Sequence, residues 1–286
     1  MKVLISADME GTCGVVSWVQ VMPPEVVGGS EPSSTVEYER ARARMTKEVN
    51  AAIQGALDAG AEEVIVNDSH DGMRNLLPDE MLPGSRYING NDKPLGMMQG
   101  VDLDGIGCVL YTGYHAKAGT PNAPLAHTWT GWLNDVRING VSTGEFGINA
   151  AVAGHFGVPV TMVAGDLRAV EQVRAHLGEQ VVGVPVKTGL STFAALNDHP
   201  AEAQAKIRKG AEQAVKAAKS AKPWVLPANS RIELAFDHQA RADQACYVPG
   251  VERIGEREVA WTAPDGLQFI LTFRAVIKCA GIRMSP

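Results

Sequence analysis

The sequence has no apolar run approaching the ~20 residues needed to cross a bilayer, so a membrane-spanning chain is not expected. Cysteine is scarce: Cys13, Cys108, Cys246 and Cys279 lie far apart with no C-x-x-C pair. That spacing argues against a disulfide framework or a structural zinc knuckle and fits a reducing cytoplasm. No basic block is present either. With 26 Lys+Arg against 32 Asp+Glu the net charge is −6, so a surface that coats nucleic acid is not expected. The apolar stretch that opens the chain is cut at Asp8, too early for the core of an export signal. Neither an internal repeat nor a low-complexity tract is evident. What remains is a globular chain of 286 residues, 45% hydrophobic, long enough at ~150 residues per domain for roughly two domains and a substantial core.

Short apolar, β-branched runs predict strands at Lys2 to Ala7, Glu63 to Asn67, Cys108 to Thr112 and Val158 to Ala164. Between the first two, Pro23 to Ser34 is rich in breakers and reads as an exposed loop. A capping box at Ser34-Thr35-Val36-Glu37 then precedes Met45, Val49, Ile53 and Leu57, spaced for a long amphipathic helix that Gly60 ends. A hairpin centred on Asn139-Gly140 leads into a short helical segment closed by Gly157. Strands alternating with helices, each strand ending in Asp or His, describe an α/β sheet with flanking helices and a site along the C-terminal ends of its strands. From about Thr188 the character changes. Pro200 to Lys222 predicts a helix, Arg231 to Phe236 and Gln268 to Phe273 predict strands, and Ala275 to Gly281 a last helix. The expected division is an α/β domain over 1–190 and a smaller α+β domain over 191–286.

The chemistry gathers at those strand ends. Asp8 and Glu10 are two apart on extended backbone, so both carboxylates point to one side and can share a cation. Alone, the pair reads more readily as a solvated D-x-E turn. His70 ends the second strand and His115 the third; each by itself suits a hydrogen-bonding histidine, but three strands delivering Asp/Glu, His and His at equivalent ends suit a metal cluster. Glu145 stands at a helix start, where its bland role is to complement the helix dipole.

Mixed imidazole and carboxylate ligands fit zinc, with manganese or cobalt as alternatives. Asp8, Glu10 and Glu145 contribute −3 and two divalent ions +4, so one bridging hydroxide neutralises the site. Two metals would supply both a nucleophile at neutral pH and a Lewis acid for a carbonyl. His127, in a Gly/Pro-containing loop, reads as a further ligand, a surface histidine or a proton-transfer group; the last suits an imidazole near a metal site.

Five ordered motifs carry a resemblance. They are Ser6-Ala7-Asp8-Met9-Glu10-Gly11, Val66-Asn67-Asp68-Ser69-His70, Gly113-Tyr114-His115-Ala116, Ala126-His127 and Gly144-Glu145-Phe146-Gly147-Ile148-Asn149-Ala150. From Met1 to about Lys187 the chain resembles the D-aminopeptidase family of zinc metallopeptidases, peptidase family M55. The resemblance implies two zinc ions per subunit, with Asp8 bridging them, Glu10 and His115 completing one site, and His70 and Glu145 the other. It implies that His127 is the catalytic residue. It also implies an α/β domain with a smaller C-terminal one, a homodecamer whose sites face an inner cavity, short peptides as substrates, and a preference for D-residues. The chain departs from the family pattern in the longer Val19 to Ser34 segment and at Leu167, where a second acid is expected after Asp166.

Two other readings compete. A dinuclear phosphohydrolase would need cationic clamps, for which Arg74, Lys93 and Lys117 are the candidates. A metal-stabilised oligomeric binding protein would have a closed coordination shell.

Overall fold

The computed structural model describes residues 1–23 and 32–282. Its elements run β1 (Lys2–Ala7), α1 (Trp18–Val21), α2 (Pro32–Asp58), β2 (Glu63–Asp68), β3 (Ser85–Ile88), β4 (Ile106–Tyr114), β5 (Leu133–Ile138) and β6 (Val141–Thr143). There follow α3 (Glu145–His155), β7 (Val160–Asp166), α4 (Leu167–Leu177), β8 (Val182–Ser191), β9 (Ala194–Asn197) and α5 (Pro200–Ala217). The chain closes with β10 (Ser230–Phe236), α6 (Gln239–Ala245), β11 (Glu252–Arg253), β12 (Glu258–Ala263) and α7 (Gly266–Ala280).

Seven strands form one sheet in the order β3-β2-β1-β4-β7-β8-β9, all parallel except the antiparallel edge strand β9. The chain builds leftward from β1 through β2 and β3, then returns to the other side of β1 with β4. The strand order therefore reverses between β1 and β4, and the crevice at such a reversal, outside the carboxyl ends of the strands, is where α/β sheets bind ligands.

Alternation along the strands separates two cores. Val3, Ile5 and Ala7 of β1 join Met45, Val49 and Ile53 of α2 and Ile207, Ala211 and Ala214 of α5 on one face. Leu4 of β1 and Val109 and Tyr111 of β4 turn to the other face, into a core shared with α3, α4, α7 and the small sheet. That sheet is antiparallel, in the order β11-β12-β10-β5-β6.

Several expectations shift. The long helix starts at Pro32, ahead of the Ser34 cap, and residues 24–31 of the expected loop lie outside the described residues. Gln268 to Phe273 is helical and belongs to α7: Asp265 caps it by accepting from Gln268 N at 2.8 Å, and Phe269, Ile270, Phe273, Val276 and Ile277 recur at helical spacing. A short aromatic and β-branched run is ambiguous between strand and helix, and here the cap and the 3.6-residue period decide it. The strand of this region is β12, just before it. Residue 190 falls within β8, and β9 and α5 complete the large sheet and its helical cover, while β5 and β6 join the C-terminal strands.

Candidate metal centre

The carboxyl ends of β1, β2 and β4 place the acids and imidazoles. Main-chain pairing continues past β1: Asp8 N donates to Thr112 O at 2.9 Å and Gly11 N to Gly113 O at 2.7 Å. A Cβ at Gly11 would stand 2.0 Å from Tyr114 O, and one at Gly113, whose φ is +68°, 2.1 Å from Asp8 O. Only glycine permits this approach, and it brings Asp8 and Glu10 beside His115. His70 is held by Asp68, whose buried carboxylate accepts from the backbone N–H groups of Asn75 (2.6 Å) and Leu76 (2.8 Å), while Asn75 Nδ2 donates to His70 O at 2.6 Å. Glu145 opens α3 after the β5–β6 hairpin, which turns on Asn139 (φ 51°) and Gly140 (φ 79°).

All six residues selected from the sequence meet in one cluster. His70 Nδ1 lies 3.3 Å from Asp8 Oδ1 and 3.0 Å from Glu10 Oε2. His115 Nε2 lies 3.4 Å from Asp8 Oδ2 and 3.3 Å from Glu145 Oε1. The two oxygens of Asp8 thus address different imidazoles, one on either side of it. His127 Nε2 stands further back, 3.8 Å from Glu10 Oε1 and 3.7 Å from Glu145 Oε1, its ring stacked on His115 at 4.1 Å. The grouping differs from the expected one: Glu10 falls with His70 and Glu145 with His115. Sheet order sets the two imidazoles on opposite sides of Asp8, because β2 flanks β1 on one side and β4 on the other.

The opposite nitrogen of each ring is already engaged. His70 Nε2 donates to Val21 O (2.6 Å), His115 Nδ1 to Ala116 O (3.0 Å) and His127 Nδ1 to Leu125 O (2.9 Å). Each neutral ring therefore turns a lone pair toward carboxylate oxygens, acceptor against acceptor, and among the described residues the buried Asp8 Oδ2 and Glu10 Oε2 have no hydrogen-bond partner. Such an arrangement needs positive charge between the groups. Around a tetrahedral zinc with ~2.1 Å bonds, donor atoms stand ~3.4 Å apart, close to the separations found for His70 and His115. A carbonyl anchor on the far nitrogen is the usual support of a metal-binding histidine. The residues present fit a pair of divalent cations.

The protonation behaviour of the metal-free cluster agrees. Burial, with the neighbouring charge of Glu10, pushes the Asp8 carboxyl up. His70 and His115 are held above the ordinary imidazole range: burial opposes this, but the carboxylates around them outweigh it. Protons take up the charge that a cation would otherwise balance. His127 moves the other way, lowered by burial and by the charge of His115.

A cavity of about 640 Å³ opens on the cluster, walled by Trp18, Met97, Trp129, Trp132 and Ile277 among others. Of the phosphate-clamp candidates, Arg74, Lys93 and Lys117 all lie outside its lining. Lys93 instead donates to Asn67 Oδ1 and Asp68 O, both at 2.6 Å, behind the His70 loop.

Sequence reasoning missed two supports. Asp166 binds Ala116 N through Oδ2 at 3.0 Å while its Oδ1 caps α4, so it steadies the residue after His115; the first helical residue, Leu167, needs no charge for this. Lys187 is buried and its Nζ donates to Glu10 O, Thr12 O (3.0 Å) and Val15 O, stitching down the loop that carries Glu10. A lone cation in the apolar run Val184 to Val186 and onward was the available signal. Lys187→Met strips the donor from three carbonyls and is expected to cost roughly 2–4 kcal/mol of stability and to weaken zinc retention. Thermal unfolding with and without zinc measures both; an unchanged midpoint would show that other donors replace it.

Comparison with known proteins places these features in a family. The profile of peptidase family M55, described as D-aminopeptidase, matches residues 1–275. The D-aminopeptidase of Bacillus subtilis (strain 168) is 35% identical over 269 residues, covering 94% of this chain and 93% of that protein. The solved structure of the Zn-dependent D-aminopeptidase DppA from Bacillus subtilis, described as a self-compartmentalizing protease, matches with a TM-score of 0.91, 32% identity and 100% coverage of both chains.

Proposed function

The chain belongs to the M55 D-aminopeptidase family, and on that premise we propose that it is a zinc-dependent aminopeptidase that removes the N-terminal residue from short peptides, preferring D-residues. The observation that carries this reading is the acceptor-to-acceptor packing of two imidazoles against Asp8, Glu10 and Glu145, at 3.0–3.4 Å, at the mouth of a cavity. Asp8, Glu10 and His70 would hold one zinc ion, and Asp8, His115 and Glu145 the other. When bound, such a pair lowers the pKa of water to give a nucleophile at neutral pH and polarises a carbonyl oxygen.

The chain's own groups do the rest. Trp129 N donates to Glu145 Oε1 at 2.7 Å and holds that carboxylate in line. His127, kept neutral, presents Nε2 between Glu10 and Glu145, where it takes a proton from the attacking water and returns it to the departing amine. The tryptophan walls limit water around the substrate.

We assign the enzyme to a homodecamer in the cytoplasm. The self-compartmentalizing relative, matched over its full length, supports assembly. Leu190, Phe193 and Leu196 on the β8–β9 hairpin, 63%, 58% and 69% exposed, offer an apolar surface to a second copy, which the mass in solution tests. The free cysteines support a reducing compartment.

Metal analysis paired with a panel of L- and D-aminoacyl dipeptides tests the assignment. The expected result is two zinc ions per chain, faster cleavage of D-alanyl than of L-alanyl peptides, and matched loss of metal and activity in Glu10→Ala. Full activity after chelation, or zinc-loaded protein that cleaves none of the panel, would remove the peptidase reading.

A further inference from the structure

Beyond the metal-binding cluster the cavity lining holds two cations, Arg274 and Lys278, together with Asp71 and Asp92. On α7, Arg274, Ile277 and Lys278 fall on one face by their three- and four-residue spacing, and all three line the cavity. The two cations are not equally occupied. Lys278 Nζ hydrogen-bonds Asp92 Oδ1, and Arg274 Nη2 reaches the same oxygen only at 3.8 Å. Among the described residues the Arg274 guanidinium makes no hydrogen bond, although its side chain is only 16% exposed. A guanidinium has five N–H donors in a rigid fork that matches the two oxygens of a carboxylate. Arg274 is thus a half-dry receptor with its fork unfilled.

Its place relative to the cluster is marked by Trp129. The backbone of Trp129 binds Glu145, while its ring and the Arg274 stem meet over Gly96: a Cβ there would lie 3.1 Å from the indole and 3.8 Å from Arg274 Cδ. The ring is pinned edge-on against Phe273, with centroids 5.0 Å apart. One tryptophan therefore links the carboxylate cluster to the aliphatic stem of Arg274. A peptide extends ~3.5 Å per residue, so a cavity of this size suits a few residues with an ammonium at the acidic end and a carboxylate at the other.

We propose that Arg274 is the anchor for the C-terminal carboxylate of the substrate, which makes this a site for free di- and tripeptides rather than for the ends of long chains. The inference rests on the peptidase reading and narrows its substrate class. Lys278, by engaging Asp92, keeps that acid from filling the arginine fork.

Calorimetry on zinc-loaded protein tests it, using a D-alanyl-D-alanine analogue whose scissile CO–NH is replaced by CH2–NH, as the free acid and as the C-terminal amide. Wild type is expected to bind the acid at least ~10-fold more tightly, the scale of one charge-assisted contact. Arg274→Met, which keeps the aliphatic stem, is expected to erase that preference while leaving amide binding within about twofold. Arg274→Lys should keep part of it. Equal affinity of wild type for the two forms, or equal weakening of both in Arg274→Met, overturns the proposal. Hydrolysis of D-alanyl-D-alanine by the same wild-type preparation is read separately: its absence would overturn the peptidase reading, whereas the acid-over-amide preference decides the role of Arg274.

Discussion

Asp8→Asn is expected to abolish binding of the two proposed zinc ions and to lower kcat/KM by at least ~1000-fold, because one carboxylate faces both halves of the cluster. Its Oδ1 faces His70 and its Oδ2 faces His115, whereas Glu10 approaches only the first of these rings and Glu145 only the second. The near-isosteric amide separates function from folding. In the metal-free protein Asp8 is buried beside Glu10 and its carboxyl is pushed up to about 8 from 3.8. A raised folded-state pKa means that the folded protein holds the proton more tightly, so metal-free stability falls as pH climbs from the unfolded value toward about 8. Asn carries no such charge. Metal-free Asp8→Asn should therefore equal or exceed metal-free wild type in stability at neutral pH, with the gap closing in acid. Zinc should raise the melting temperature of wild type and not of the variant, since a ligand stabilises only the state that binds it. Scanning calorimetry and elemental analysis give both readouts, and a variant that retains two zinc ions would sink the bridging role.

His127→Ala is expected to keep its metal and lose at least ~100-fold in turnover, the scale of a missing acid–base group. The separation of 3.7–3.8 Å from Glu10 and Glu145 sets it apart from His70 and His115, which approach their carboxylates more closely. In the metal-free protein burial and the charge of His115 lower its pKa from 6.5, and in the loaded enzyme burial persists while bound cations would take over the part of the His115 charge. A base of lowered pKa is competent above that pKa and silenced as pH falls through it, so the acid limb of the kcat profile should lie below pH 6.5. Unchanged turnover would remove His127 from the mechanism, and loss of zinc would make it a ligand.

The centre was legible because its residues end strongly patterned strands. β1 spans Lys2–Ala7 as the apolar run indicated, and the polar residues that stop β1, β2 and β4 are the ones that converge. Glu145 was legible through the Asn139-Gly140 turn, whose positive φ values set the hairpin that leads to it. The placing of the two imidazoles on either side of Asp8 was not legible, because it depends on which strand lies to each side of β1, a property of sheet order rather than of any local segment. β3 went unseen because an edge strand with two exposed residues in its middle carries no apolar period. β9 was hidden for a related reason: its leucine faces outward. Arg274 sits in a helix that read partly as a strand, so neither its face nor its neighbours could be assigned from the sequence.

The ammonium of Lys187 reaches back 177 positions to grip the backbone at Glu10. Ribosomes deliver the N-terminus first, so Asp8 and Glu10 emerge long before the strand that braces them. Throughout that interval the nascent polypeptide has its acids but not their scaffold. Hydrolytic competence is consequently deferred until well over half of the protein has been synthesised.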